Sequence, residues 1–154
     1  MANNNPQRYL EEASQAATED DLLYAIWIIE NAIESVGQTQ DISRIMEVVT
    51  AKLTPEFIKK SRKLVEVGLE TVVHLCRQRE FLLEEEWFLI VTNLSNAFSL
   101  ERYLKRIGRP VAFPLLQVAM DAVDESTHHF SDRRFRVVLD AARGRYPNPL
   151  PPPL

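Results

Sequence analysis

EEEWFLIVTNLSNAF, running from Glu84 to Phe98, is the stretch whose reading decides the fold. Glu84, Glu85 and Glu86 stand where a helix start leaves amides unsatisfied and turns the positive end of its dipole outward. Trp87, Phe88, Leu89, Ile90 and Val91 follow without a break, too many apolar residues for one helical stripe. On a helical wheel Trp87, Ile90, Leu94 and Ala97 make one face, which Phe88, Val91 and Phe98 widen. A helix apolar over so much of its surface needs cover from several sides. The other helices are expected to supply it.

Working outward, the upstream chain reads as four helices. Pro6 suits a first helical position, because its ring presets φ and its missing N–H would be orphaned there. That helix runs to about Ala17, with Tyr9, Leu10, Ala13 and Ala17 inward. Thr18-Glu19-Asp20-Asp21 offers a capping hydroxyl followed by three carboxylates, and starts a second helix that ends at Gly37. Leu22, Ile26, Ile29, Ile33 and Val36 form its main face, and Leu23 with Trp27 a second, so two-sided packing is expected. Asp41 is the expected cap of a third helix carrying Ile42, Ile45, Val48, Val49 and Leu53. Thr54-Pro55-Glu56 opens a long fourth helix to about Arg79. Gly68 lies within it, marking either close approach of another helix or a break into two.

Downstream, Ser99 is read as the cap of a short helix over Leu100 to Ile107, closed by Gly108. Arg109-Pro110 and Phe113-Pro114 interrupt any continuous helix. A further helix starts near Pro114 and gives way to a loop over Asp124 to Ser131. Ser131 caps a last one, with Phe135, Val138, Leu139 and Ala142 inward and Gly144 at its end. Nothing shows the period-two alternation of strands. The expectation is a single all-α domain over residues 1–145, with 1–5 flexible: a compact multi-helix bundle or short helical superhelix of seven to eight helices. Tyr146, Pro147, Pro149, Leu150, Pro151, Pro152, Pro153 and Leu154 belong to an extended or disordered proline-rich tail over 146–154, the candidate arm onto a partner.

Composition narrows the function. The 154 residues are 45% hydrophobic and 26% charged, as in ordinary globular domains. The four glycines form no phosphate-cradling loop, and the single cysteine, Cys76, permits no intrachain disulfide. The N-terminus lacks the order of a signal peptide, and no apolar run nears the ~20 residues that cross a bilayer. An intracellular, cytoplasmic protein is expected. Formal charge is −4, unevenly laid out: nine acidic and two basic side chains up to Thr50, but 13 and 16 from Ala51 onward. Such asymmetry suits head-to-tail contacts or polyanion binding, and equally a solvated surface.

Catalytic candidates fail on geometry. His128 and His129 lie near Asp124, Glu125 and Asp132, but adjacent histidines do not aim at one ion and no metal-ligand spacing is present. His74 and Cys76 are two positions apart on a helix and point different ways. Glu84 to Glu86 are accounted for by a charged first turn, and Asn93 with Asn96 are read as a polar side of the central helix. Neither an enzyme nor a cofactor or metal is expected. Basic clusters remain: Lys59, Lys60, Arg62 and Lys63; Arg102, Lys105, Arg106 and Arg109; and Arg133, Arg134 and Arg136 with Arg143 and Arg145. Tyr103 and Tyr146 lie near two of them, where stacking on bases would require aromatics. The expected function is non-enzymatic protein–protein interaction, as a scaffold, adaptor or structural subunit of a larger assembly, with another protein or a second copy of itself as partner. The alternative is a nucleic-acid-associated helical protein that binds phosphates through these clusters.

Overall fold

The structure is a computed structural model that describes residues 6–16 and 18–126. Among the described residues there are six helices and no strand: α1 (Pro6–Gln15), α2 (Glu19–Val36), α3 (Gln40–Lys52), α4 (Pro55–Gln78), α5 (Glu84–Arg106) and α6 (Pro114–Ser126). The expected helix over 131–144, the His128-His129 pair, the third basic cluster and the proline tail lie outside the described residues.

The seven to eight helices expected are therefore six over the described residues, chiefly because Ser99 caps nothing. It is fully buried in the middle of one continuous α5, as is Ser95. A small hydroxyl residue at a tight helix contact looks in sequence like a cap; tertiary burial decides otherwise. The expected loop at Asp124 is likewise helical, since α6 continues to Ser126, whose Oγ donates to the Cys76 carbonyl at 3.0 Å. Thr39, not Asp41, caps α3: its Oγ1 accepts from the Ile42 amide at 3.2 Å, and Asp41 sits in the first turn. The caps at Thr18 and Thr54 are as expected, and Thr18 forms a full capping box with Asp21.

Two helices share the centre. α2 buries every residue from Leu22 to Asn31 except Tyr24, and α5 buries Trp87, Ile90, Val91, Leu94 and six or more residues beyond it. Packed against each other, they divide the molecule, with α1 and α3 on one flank and α4 and α6 on the other. Gly68 resolves as close approach: α4 is unbroken, and a Cβ built there would stand 2.6 Å from Asn93 Oδ1 on α5. α4 and α6 run in the same direction. Arg62 Nη2 reaches the Ala112 carbonyl near their starts at 3.5 Å, and Ser126 meets Cys76 near their ends. At Gly108 (φ 79°) α5 closes with paired bonds, the Arg109 amide to Leu104 O at 2.8 Å and the Gly108 amide to Lys105 O at 3.2 Å.

Candidate interaction surfaces

The polar ties that fix the surface start at the C-terminal half of α5. Glu30 lies on α2 within the run Trp27-Ile28-Ile29, and its side chain is only 2% exposed. Arg106 grips it with two parallel bonds, Nε to Oε2 and Nη2 to Oε1, both 2.9 Å. The fork geometry suits a carboxylate, and its hydrogen bonds hold the Arg106 guanidinium above its ordinary pKa. One turn earlier Tyr103 is fully buried; its hydroxyl lies 2.7 Å from Thr50 Oγ1 and donates to the Met46 carbonyl at 3.1 Å. Burial pushes the Tyr103 phenol up to about 12, against the opposing Thr50 bond. α5 is thereby pinned to α2 and α3 at once.

These ties revise the second basic cluster. Tyr103 is inside and has no face to offer a base, and Arg106 is engaged by Glu30. Arg109 Nη1 donates to the Leu53 carbonyl at 2.8 Å, so part of its capacity closes the end of α3. Lys105 is exposed and Arg102 half-buried. In the first cluster Lys59, Lys60, Arg62 and Lys63 are all exposed. Lys60 pairs with Glu56 at 3.5 Å and Arg62 with Glu66 at 3.1 Å, surface pairs worth ~0.3–0.5 kcal/mol each. The Arg62–Ala112 and Arg109–Leu53 bonds bring the two clusters to one end of the molecule, where the α3–α4 corner meets the Gly108–Pro114 link. The third cluster and the tail residues Tyr146 to Leu154 lie outside the described residues.

At that same end a groove of about 1030 Å³ opens between α3 and the start of α4. Met46, Leu53, Pro55 and Ile58 give it an apolar surface, and Glu47 and Arg109 add one charge of each sign. A second, of about 400 Å³, lies among α1, α2 and α3. Ala16, Ala25, Ile28 and Ile45 form its apolar lining, with Tyr9, Tyr24, Glu12 and Asp21 as its polar members. Tyr24 stacks obliquely on Trp27, ring centres 5.9 Å apart, and remains 46% exposed. On α4, Leu64 and Val67 are 43% and 51% exposed beside Lys60 and Lys63.

Catalytic candidates find no partners here. Cys76 is buried, and burial pushes its thiol up to about 11 despite an opposing hydrogen bond from Ser126, so it is a poor nucleophile. His74 is exposed, and Glu86 serves the α5 start by accepting from the Leu83 amide at 3.2 Å and pairing with Arg79. Asn93 packs on Gly68, so it lies at a helix contact rather than on an open polar side. Among the described residues no three His, Cys, Asp or Glu side chains are placed to hold a metal ion. None of the described helices is long and apolar enough to cross a membrane. Sequence reasoning missed Glu30. Its signal was a lone carboxylate inside an apolar run, and its partner lies 76 residues away.

No family model, curated protein sequence or solved structure matches this chain.

Proposed function

We propose that this protein works by binding other proteins, as a non-enzymatic scaffold or structural subunit of a larger assembly. The observation that carries this reading is the groove between α3 and α4. It is apolar along Met46, Leu53, Pro55 and Ile58, bears one charge of each sign, and is shaped by helices that the Tyr103 and Arg109 bonds hold rigidly. A preorganised apolar trough with a polar margin suits an amphipathic helix or extended segment of a partner, because little order has to be created on docking. A cytoplasmic setting goes with this reading.

A second reading, phosphate binding, draws on the meeting of Lys59, Arg62 and Arg109 at the same end. It is weakened by the burial of Tyr103 and the engagement of Arg106 with Glu30.

A photo-cross-linking side chain placed at exposed Ala51, beside the groove, separates the two. A control is placed at exposed Gln117 on α6. In the cells that make this chain, the Ala51 probe is expected to give a discrete protein adduct that the Gln117 probe does not. Adducts to nucleic acid at Ala51 would favour phosphate binding, and equal labelling from both positions would remove the groove from the function.

A further inference from the structure

We infer that the chain also docks onto a second copy of itself, head to tail, the exposed face of α4 seating in the groove among α1, α2 and α3. Lys60, Lys63, Leu64 and Val67 lie on the side of α4 opposite its buried Ser61, Val65, Leu69 and Val72. That face combines Lys63, and Lys60 beside its partner Glu56, with two large apolar side chains, 43% and 51% exposed. The groove on the other flank is its complement. Ile28 and Ile45 supply apolar surface, and the exposed ring of Tyr24 can take an ammonium against its face; Glu12, which also pairs with Arg8 at 3.2 Å, and Asp21, which also serves the Thr18 capping box, bring carboxylates to its rim. Its volume of about 400 Å³ suits a few side chains of one helix rather than a whole helix.

Charge on a larger scale points the same way. The groove belongs to the segment up to Thr50, with nine acidic and two basic side chains, while α4 itself carries five basic and three acidic ones. Such opposed fields steer copies together and set their orientation. The two surfaces lie on opposite flanks, so one copy does not satisfy its own groove. Because they are different surfaces, each added copy leaves one groove and one α4 face open, and the assembly grows until it closes into a ring or runs on as a filament.

This inference goes beyond the α3–α4 groove and is tested on the purified full chain alone. A monomeric result there would sink it while leaving any partner cross-linked at Ala51 in place. Sedimentation velocity is run over a range of concentrations at low and high salt, on the natural chain, Lys63→Glu, Tyr24→Ala and an equal mixture of those two. The natural chain is expected to form species beyond the dimer at low salt and to dissociate at high salt. Lys63→Glu and Tyr24→Ala are each expected to weaken association about tenfold or more. The mixture is expected to give dimers and nothing larger, since it contains one intact face and one intact groove. Glu12→Gln serves as the groove variant if Tyr24→Ala does not fold. A natural chain that stays monomeric at every concentration, association indifferent to salt, or variants that assemble like the natural chain would each overturn the inference.

Discussion

The two halves of α5 hold their neighbours by different means. From Trp87 to Leu94 the helix is fastened by fit: Trp87, Ile90, Val91 and Leu94 are buried apolar side chains, and Gly68 lets Asn93 lie against the backbone of α4. From Ser95 to Arg106 it buries Ala97, Phe98, Leu100 and Leu104 as well, and adds specified bonds, the Glu30–Arg106 fork and the Tyr103 hydroxyl between Thr50 and Met46. Apolar contact is non-directional and tolerates small shifts, whereas a carboxylate gripped by a planar fork fixes both distance and register. The first half supplies cohesion. The second decides where α2 and α3 sit, and so shapes the grooves they wall.

The comparison breaks most visibly at its two extremes. Arg106→Ala leaves Glu30 charged and buried, and is expected to cost ~3 kcal/mol, the lower part of the range for a broken buried pair because Arg106 itself keeps 31% exposure. Replacing both residues by Met should restore much of that stability. Leu94→Ala, in the apolar half, is expected to cost ~2–5 kcal/mol with no second-site remedy of this kind. Denaturant unfolding of the four proteins checks this. An Arg106→Ala chain as stable as the natural one would leave α5 held by apolar fit throughout.

Gly68 sharpens the comparison through a change of sign. A Cβ there meets Asn93 Oδ1 at 2.6 Å and Cγ at 2.8 Å, so Gly68→Ala should destabilise the fold by about 1 kcal/mol, overpacking outweighing the better helix propensity of alanine. In an Asn93→Ala background the obstruction is gone, and the same substitution should stabilise by up to ~1 kcal/mol. Thermal melts of the four proteins, each background with and without the substitution, decide it. The same sign in both backgrounds would mean that the α4–α5 contact relaxes freely.

The smallest effect at neutral pH belongs to the buried ionisable groups, which do nothing until the solution turns alkaline. Burial raises Cys76 from an ordinary 9.0 to about 11, and Tyr103 from 10.0 to about 12. Both are uncharged below their unfolded values, so stability is untouched there. Above pH 9 the unfolded thiol ionises before the folded one, and stability falls until about pH 11; Tyr103 adds a fall from 10 to about 12. Cys76→Ala should flatten the first fall, read from urea midpoints across this range.

Sequence periodicity was enough for the all-helical class, the central place of Glu84 to Phe98 and the two-sided packing of α2. Each follows from how wide an apolar face is, which a helical wheel reports directly. Ser99 and Glu30 misled or escaped for one shared reason. A serine that caps and a serine that packs are the same letter, and a carboxylate in an apolar run declares its partner only in three dimensions. The basic clusters were visible as composition, but their division into engaged residues (Arg106, Arg109) and exposed ones (Lys59, Lys63) depends on contacts across some 50 to 76 residues. The two grooves were not legible either, because the larger depends on how the chain from Gln38 to Ile58 folds back and meets Arg109, and the smaller is walled by three separate helices.

The span of the Glu30–Arg106 bond also has a consequence in time. A ribosome adding ~5–20 residues per second delivers Arg106 roughly 4 to 15 seconds after Glu30. Throughout that interval Glu30 has no Arg106 to meet, and Thr50 and Met46, once made, wait in turn for Tyr103. An N-terminal half that closed fully before then would bury the Glu30 carboxyl without its hydrogen-bond partner, which costs free energy. The last turns of α5 remove that cost, so the final packing of α2 is expected to wait for them.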